Sequence, residues 1–247
     1  MSGHSKWANI KHKKEKTDGE RAKIFTKLGR EIAVCVKNGG PDPASNFKLK
    51  DIVYKAKSNN MPNDNIERCI KKAAGEAGND DYMEMTYEGY GPKGAAVIVE
   101  TLSNNKNRTA GDIKHYFDKF GGNLGAIGCV SWMFDKKGDI IVEKDESVDE
   151  ETLMMDALDA GAEDFEAGDE CYEIVTAPED FTLIVDALES KGYTLATAEV
   201  TMIPQNYIKL TDERDMKMMS KLLESLEDND DIQNVYHNWE NADEYSE

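Results

Sequence analysis

The spacing of the apolar residues changes near residue 80, and this change constrains the fold more than any other feature of the sequence. Before it, apolar residues recur every three or four positions, as Ile24, Leu28 and Ile32 do, which is typical of one helix face. After it, short continuous or alternating apolar runs such as residues 95–102 indicate strands. The sequence therefore predicts a helical N-terminal region followed by mixed helices and strands.

Three helices are predicted within the first 75 residues. The first covers about residues 19–37, with Asp18 as its cap and Gly39 and Gly40 after its end. The second begins at residues 42–43, where a proline suits the first helical turn, and ends at residues 59–60. The third begins at residues 61–62 and ends at Gly75. Together they form a small helical bundle.

The remaining elements predict two α/β domains, one inserted in the other. Strands are expected at residues 85–88, 95–102 and 129–134, with a helix at 108–120. Residues 139–202 follow the order β-α-β-β-α-β, which is the ferredoxin-like split pattern. The strand at 206–210, the helix at 212–226 and the strand at 232–237 cannot bury a core alone, so we expect them to complete the unit begun at 85–134.

The predicted fold class is therefore α+β with three domains. An N-terminal helical bundle spans residues 1–78. Two ferredoxin-like α/β domains follow, of which the middle one is discontinuous (79–134 and 204–247) and the other is an acidic insertion (135–203).

Charge is distributed very unevenly along this chain. The net formal charge is −19, but residues 1–75 alone carry +9, so the remainder carries −28. A basic segment attached to acidic domains suggests that the segment binds a polyanion. The other interpretation is a solvated basic face that balances the acidic domains, and that docks on them within the molecule.

The sequence excludes several classes of protein. It has no apolar run of 18 residues and no signal-peptide core near Met1, so we expect a cytoplasmic protein without a membrane partner. The four cysteines are widely spaced, which predicts reduced thiols rather than disulfides. No histidine lies in a zinc-binding spacing. No metal and no cofactor is predicted.

No motif indicates catalysis. Residues 89–94 match the G-x-G-x-x-G pattern, but a strand rather than a helix follows, so a glycine-rich hairpin is the better interpretation. The acidic clusters are interpreted as solvated faces and helix N-termini. We expect a protein that is not an enzyme.

The candidate nucleic-acid-binding residues are basic and lie mostly in the first 50 positions. Such a surface neutralises phosphates and releases counterions. A further candidate follows a polar loop at a predicted helix N-terminus, for which an ordinary capping loop is the alternative. The candidates are Lys6, Lys11, His12, Lys13, Lys14, Lys16, Arg21, Lys23, Lys27, Arg30, Lys48, Lys50 and Arg108.

Several stretches together resemble one known family. They include residues 1–14 (MSGHSKWANIKHKK), 21–27 (RAKIFTK), 87–92 (YEGYGP), 121–125 (GGNLG), 198–204 (AEVTMIP) and 231–238 (DIQNVYHN). The chain is similar to the YebC/PmpR family, which also includes a mitochondrial translational activator of cytochrome oxidase. The match covers essentially the whole chain.

The resemblance implies three domains and a non-enzymatic role, usually that of a transcriptional regulator that binds promoter DNA. It also implies a second role attributed to members, in which the protein associates with the ribosome and assists translation through difficult stretches such as consecutive prolines. The expected partner is accordingly DNA or ribosomal RNA. The sequence does not fix the oligomeric state, and a monomer is compatible with it.

Overall fold

The computed structural model describes residues 18–75, 82–242 and 245. In this part of the chain there are seven α-helices and two four-stranded antiparallel sheets. Backbone contacts divide the chain into two compact units, with boundaries after Gly78, Asp135 and Thr201. Unit 1 contains the helical region and Lys136–Thr201, and unit 2 contains the rest.

The helical region of unit 1 consists of α1 (Asp18–Gly39), α2 (Phe47–Ser58) and α3 (Asn63–Gly75). Leu28, Ile32 and Leu49 are buried where these helices meet, together with Met61 and Ile66. The predicted apolar face of the first helix is therefore confirmed at Leu28 and Ile32, and the other two helices contribute to the same core.

The start of α2 differs from the prediction. Residues 42–46 form a turn rather than the first helical turn, because the Asp42 carboxylate accepts a hydrogen bond from the Ala44 amide at 2.9 Å. Asn46 then caps α2 by accepting from the Leu49 amide at 3.1 Å. Its side-chain amide donates to the carbonyls of Cys35 at 2.8 Å and Gly40 at 2.9 Å, which joins α2 to the end of α1.

The second part of unit 1 is built from β4 (Phe134–Glu143), α5 (Glu150–Ala160), β5 (Asp164–Ala167), β6 (Cys171–Thr176), α6 (Phe181–Ser190) and β7 (Leu195–Pro204). Residues 134–135 of β4 and 202–204 of β7 belong to unit 2. Its sheet has the order β5-β6-β4-β7. Ile140 and Ile174 on one face of the sheet are buried against Leu153 of α5 and Phe181 of α6.

Unit 2 contains β1 (Met83–Tyr90), β2 (Ala96–Ser103), α4 (Lys106–Lys119), β3 (Asn123–Leu124), α7 (Glu213–Asp228) and β8 (Ile232–His237). Its sheet has the order β3-β1-β2-β8, so a strand from the tail pairs with one that precedes Lys136–Thr201. Val97 of the sheet is buried with Ile113 and Phe117 of α4 and with Leu222 of α7.

The glycine-rich motif at residues 89–94 is the turn of a hairpin, as the sequence predicts. Its two flanking strands, β1 and β2, pair in antiparallel register from Met83 opposite Ser103 to Tyr90 opposite Ala96. Gly89 has no room for a side chain, since a Cβ there would lie 2.7 Å from the Asn123 carbonyl oxygen of β3.

Two predicted strands are wrong. Residues 129–133 form bends and a short 3₁₀-helix, Ser131–Met133, because a carboxylate from β1 binds the amides of Val130 and Ser131 and that of the preceding Gly128, so these amides do not pair with a strand. Phe134 is instead the first residue of β4, which is continuous to Glu143. Residues 206–210 contribute a single bridge, between Ile208 and Trp239.

Candidate nucleic-acid interface

Basic residues of α1 lie along one ridge of the helix. Lys23, Lys27 and Arg30 have the spacing i, i+4, i+7, and the helical conformation of α1 places them on neighbouring turns. Arg21 and Lys23 are exposed, and Lys27 and Arg30 are partly buried. Leu28, Ile32 and Val36 take the buried positions of this helix. The structure thus brings Lys23, Lys27 and Arg30 together on one ridge of the first helix, whereas Arg21 lies on a different face of it.

The predicted lysines of α2 differ in their surroundings. Lys48 is exposed at the N-terminal turn. Lys50 is partly exposed, and its Nζ lies 2.6 Å from Oδ2 of Asp186 on α6. Toward the C-terminus, Lys55 lies 3.6 Å from Glu31 of α1, and Lys57 lies 5.8 Å from the ring centroid of Tyr54.

Asp186 is the acceptor at this contact between α2 and α6. The Tyr54 hydroxyl donates a hydrogen bond to the same carboxylate as Lys50. Partial burial opposes ionisation of Asp186, but the hydrogen bonds from Lys50 and Tyr54 outweigh it and lower the pKa of this carboxyl. Burial and the neighbouring carboxylate raise the pKa of Tyr54, which keeps the phenol protonated.

Neither Tyr54 nor Asp186 stands out in the sequence as a functional residue. The signal that points toward them is the charge asymmetry, whose alternative interpretation is a basic face that docks on the acidic domains. The helical spacing of apolar residues in α2 does not identify the role of Tyr54. Its ring packs against the hydrophobic cluster of the second part of unit 1, which lies far away in the sequence.

Arg108 has a structural partner in unit 2. Its guanidinium Nη2 lies 2.6 Å from Oδ2 of Asp231, while Ser103 and Thr109 donate to the same buried carboxylate at 3.0 Å each. Burial opposes ionisation of Asp231, but these hydrogen bonds lower its pKa overall. The polar loop before α4 is a capping loop, in which Asn105 accepts from the Arg108 amide at 3.1 Å.

Six candidates lie outside the described residues. They are Lys6, Lys11, His12, Lys13, Lys14 and Lys16. Their place in the interface therefore rests on the sequence.

A loop of unit 2 presents two large apolar side chains to solvent. We call residues 125–133 the Glu88 loop, because the buried Glu88 carboxylate accepts from the amides of Gly128 at 2.8 Å, Val130 at 2.9 Å and Ser131 at 2.8 Å. Burial opposes ionisation of Glu88, but these bonds lower its pKa. Ile127 is 86% exposed and Trp132 is 67% exposed on this loop.

The described residues give no indication of a metal site or a membrane span. Within residues 18–75 and 82–242, no group of three or more His, Cys, Asp or Glu side chains is arranged to hold a metal ion. In the same part of the chain, no helix is long and apolar enough to cross a membrane.

Two family models match the chain. One, described as the TACO1/YebC protein N-terminal domain, matches residues 5–76. The other, described as the TACO1/YebC second and third domain, matches residues 82–239.

Curated relatives match over nearly their whole length. A protein of Acetivibrio thermocellus is 63% identical over 97% of this chain and 99% of its own length. One of Ruminiclostridium cellulolyticum is 62% identical over 100% of both chains. Each bears the name "Probable transcriptional regulatory protein".

A solved structure has a similar fold. The crystal structure of a conserved hypothetical protein from Aquifex aeolicus has a TM-score of 0.79 and 44% identity, and the match covers 91% of this chain and 92% of that one.

Proposed function

The chain belongs to the TACO1/YebC family, and from this premise we propose that it regulates gene expression by binding nucleic acid through its helical region, without catalysis. We call residues 1–75 the basic head. The observation that carries the proposal is that this segment has a net charge of +9 while the rest of the chain has −28. The names of the relatives support the regulatory role.

The first candidate ligand is promoter DNA. The ridge on α1 and the exposed Lys48 of α2 provide cations that suit the phosphate backbone. Phosphate contacts of this kind position a protein on a duplex but do not read its sequence. The proposal therefore requires a footprint on defined promoters, and equal affinity for scrambled duplexes would contradict specific regulation.

The second candidate ligand is single-stranded or loop RNA, such as that of the ribosome. The exposed indole of Trp132 in unit 2 favours it as a contact in addition to the basic head, because unpaired bases stack on exposed aromatic side chains. Under this alternative, Trp132→Ala weakens RNA binding and leaves duplex DNA binding unchanged.

We also propose the three-domain division stated above, with the boundaries 1–78, 79–134 with 204–247, and 135–203. The two family models divide the chain between residues 76 and 82, which supports the first boundary. The sheet order β5-β6-β4-β7 supports a ferredoxin-like inserted domain.

Charge replacement tests the basic head directly. In one variant Arg21, Lys23 and Lys48 are changed to Gln, and in another Lys11, Lys13, Lys14 and Lys16 are. Each should weaken binding, and the slope of log affinity against log salt should fall by roughly 0.9 for each duplex phosphate that is no longer neutralised. The matched control replaces three exposed lysines of α4, namely Lys106, Lys114 and Lys119. An equal effect in the control would contradict binding through the head.

Crosslinking in cells separates the two ligands. The protein is purified with its adducts, which are digested in parallel with DNase and RNase. Adducts that are lost with DNase and map to few promoters would support the first candidate. Adducts that are lost with RNase and map to ribosomal RNA would support the second.

A further inference from the structure

The contact between α2 and α6 in unit 1 joins a basic surface to an acidic one. Lys50 and Tyr54 of α2 both donate to the carboxylate of Asp186. The Lys50 side chain is 29% exposed and that of Asp186 is 48% exposed, so water and solutes reach this ion pair. Its donors belong to the basic head and its acceptor to the acidic insertion.

The rest of this contact is sparse and mostly polar. Thr182 of α6 donates to the Asp51 carboxylate at 2.9 Å, and the Ala198 amide of β7 donates to the Ser58 hydroxyl at 3.3 Å. The apolar part is the ring of Tyr54, which meets Phe181 edge-on with 6.5 Å between ring centroids.

Each side of the contact has a hydrophobic core of its own. The core of the helical region includes Leu28, Ile32 and Leu49, whereas that of the inserted part includes Leu153 and Ile184. Neither core depends on the ion pair between Lys50 and Asp186. The Tyr54 ring is the one apolar group of the described helical region that would leave the core of the insertion if the ion pair and its neighbours separated.

The donors at this contact suit a phosphate as well as they suit a carboxylate. Lysine ammonium groups and tyrosine hydroxyls are both common partners of nucleic-acid phosphate oxygens. Lys57, whose Nζ lies 5.8 Å from the Tyr54 ring centroid, adds a further cation beside them. The Tyr54 hydroxyl has a single proton to donate, and a phosphate beside Lys50 would be repelled by the Asp186 carboxylate, so the two anions compete for these donors.

We propose that Asp186 is an internal competitor of nucleic acid, which occupies the Lys50–Tyr54 surface of the basic head and is displaced when a polyanion binds. The inference rests on the proposed nucleic-acid binding by the head. It adds a regulation of that site: the acidic insertion lowers affinity for any polyanion, so that only a ligand with many contacts displaces it.

Substitution of the competitor is the direct test. We expect Asp186→Asn to bind fluorescein-labelled poly(U) RNA about three- to fivefold more tightly than the wild-type chain, because RNA binding then no longer requires that Lys50 break its ion pair with Asp186. Lys50→Gln should weaken binding. In the double variant the gain from Asp186→Asn should disappear, since the freed lysine is absent.

The insertion offers a control with matched chemistry. Asp156 also binds a lysine and a tyrosine, with Lys191 Nζ at 2.5 Å and the Tyr193 hydroxyl at 2.8 Å, but both partners belong to the insertion itself. Asp156→Asn changes the net charge as much as Asp186→Asn does. It should leave the affinity within about twofold of wild type, since it frees no donor of the head.

The outcomes separate the two proposals. If Asp186→Asn binds more tightly than Asp156→Asn and the gain requires Lys50, internal competition is supported. If the wild type binds, Lys50→Gln weakens binding, and the two aspartate variants are equal, the competition is wrong although binding by the head stands. If neither the wild type nor Asp186→Asn binds poly(U) or duplex DNA at low salt, nucleic-acid binding by the head is itself wrong.

Discussion

Two aspartates, one in each unit, bind a basic side chain and hydroxyl groups, yet they differ in what they can do. Asp231 binds Arg108, Ser103 and Thr109, and its side chain is 10% exposed. Asp186 binds Lys50 and Tyr54, and its side chain is 48% exposed. Burial turns the first set of contacts into a fixed part of the fold, because no solvent replaces a missing partner there. Exposure leaves the second exchangeable.

The places that the partners of Asp231 and of Asp186 occupy in the fold agree with this difference between fixed and exchangeable contacts. Asp231 directly precedes β8 and binds Ser103 at the end of β2 and Thr109 near the start of α4. Its hydrogen bonds therefore connect segments 128 and 122 residues apart in the chain. Asp186 joins two parts that already have separate cores. The same chemistry therefore supports stability in unit 2, and in unit 1 it leaves the carboxylate exposed enough for the proposed competition.

The largest expected effect is that of Asp231→Ala. The substitution leaves the hydroxyls of Ser103 and Thr109 buried without this acceptor, and it should lower the free energy of unfolding by roughly 3 kcal/mol. Urea denaturation followed by the fluorescence of Trp239, which is buried in unit 2, measures this change. Asp231→Asn, which keeps the shape and one acceptor, should lose less. A loss below about 1 kcal/mol for the alanine variant would contradict the role of burial.

Glu88 is a second buried carboxylate, and it tests the role of burial separately from ion pairing because its partners are backbone amides. Glu88→Gln replaces one acceptor oxygen by a donor that faces an amide of the Glu88 loop, and it should cost about 2 kcal/mol. Hydrogen exchange at Gly128, Val130 and Ser131 should accelerate as well. Unchanged protection of these amides would mean that the carboxylate does not hold the loop.

The same variant carries a pH prediction. The folded pKa of Glu88 is lowered, so its contribution is complete above the unfolded pKa of about 4.3 and is lost as the pH falls through the folded value. Unfolding free energy measured from about pH 6 down to about pH 3 should therefore fall less steeply for Glu88→Gln than for the wild type. A parallel fall would contradict the lowered pKa.

A smaller effect is expected for Asn46→Ala in unit 1. This side chain is buried, caps α2 and binds two carbonyls near the end of α1, so its loss should cost about 1–2 kcal/mol. Hydrogen exchange of the Leu49 amide, which donates to the Asn46 side chain, should be faster in this variant because the start of α2 is less stable. Asn59→Ala, which removes a single bond from the side chain to the Lys55 carbonyl, is the control and should cost less.

The extent to which the sequence predicts these features follows from the range of the interactions. Helix faces such as Leu28 and Ile32, and the hairpin at residues 89–94, depend on local periodicity and turn chemistry, and the structure confirms them. The strand predicted at residues 129–134 is wrong, because Glu88 binds this segment from some 40 residues away. No periodicity within the segment records such a partner.

In the candidate site, too, features that depend on local spacing are predictable from the sequence, and contacts with distant segments are not. The basic ridge of α1 follows from helical spacing, and the structure places its members together. The partners of Lys50 and Arg108 lie on distant segments, 136 and 123 residues away, and only the folded chain identifies them. Charge asymmetry predicts that the head meets an anion, but it does not decide between a phosphate and the chain's own carboxylate.

The smallest expected effect is on the stability of Asp186→Asn, and it decides whether the comparison holds. Because the ion pair with Lys50 is exposed to solvent, its loss should change the free energy of unfolding by less than about 1 kcal/mol. Thermal denaturation of Asp186→Asn and of Asp156→Asn, which have the same net charge, measures the difference in stability between the two variants. A small change in stability together with a clear gain in RNA affinity would show that the contact acts on binding. A loss as large as that of Asp231→Ala would place Asp186 among the fixed parts of the fold, where it could not yield to a polyanion.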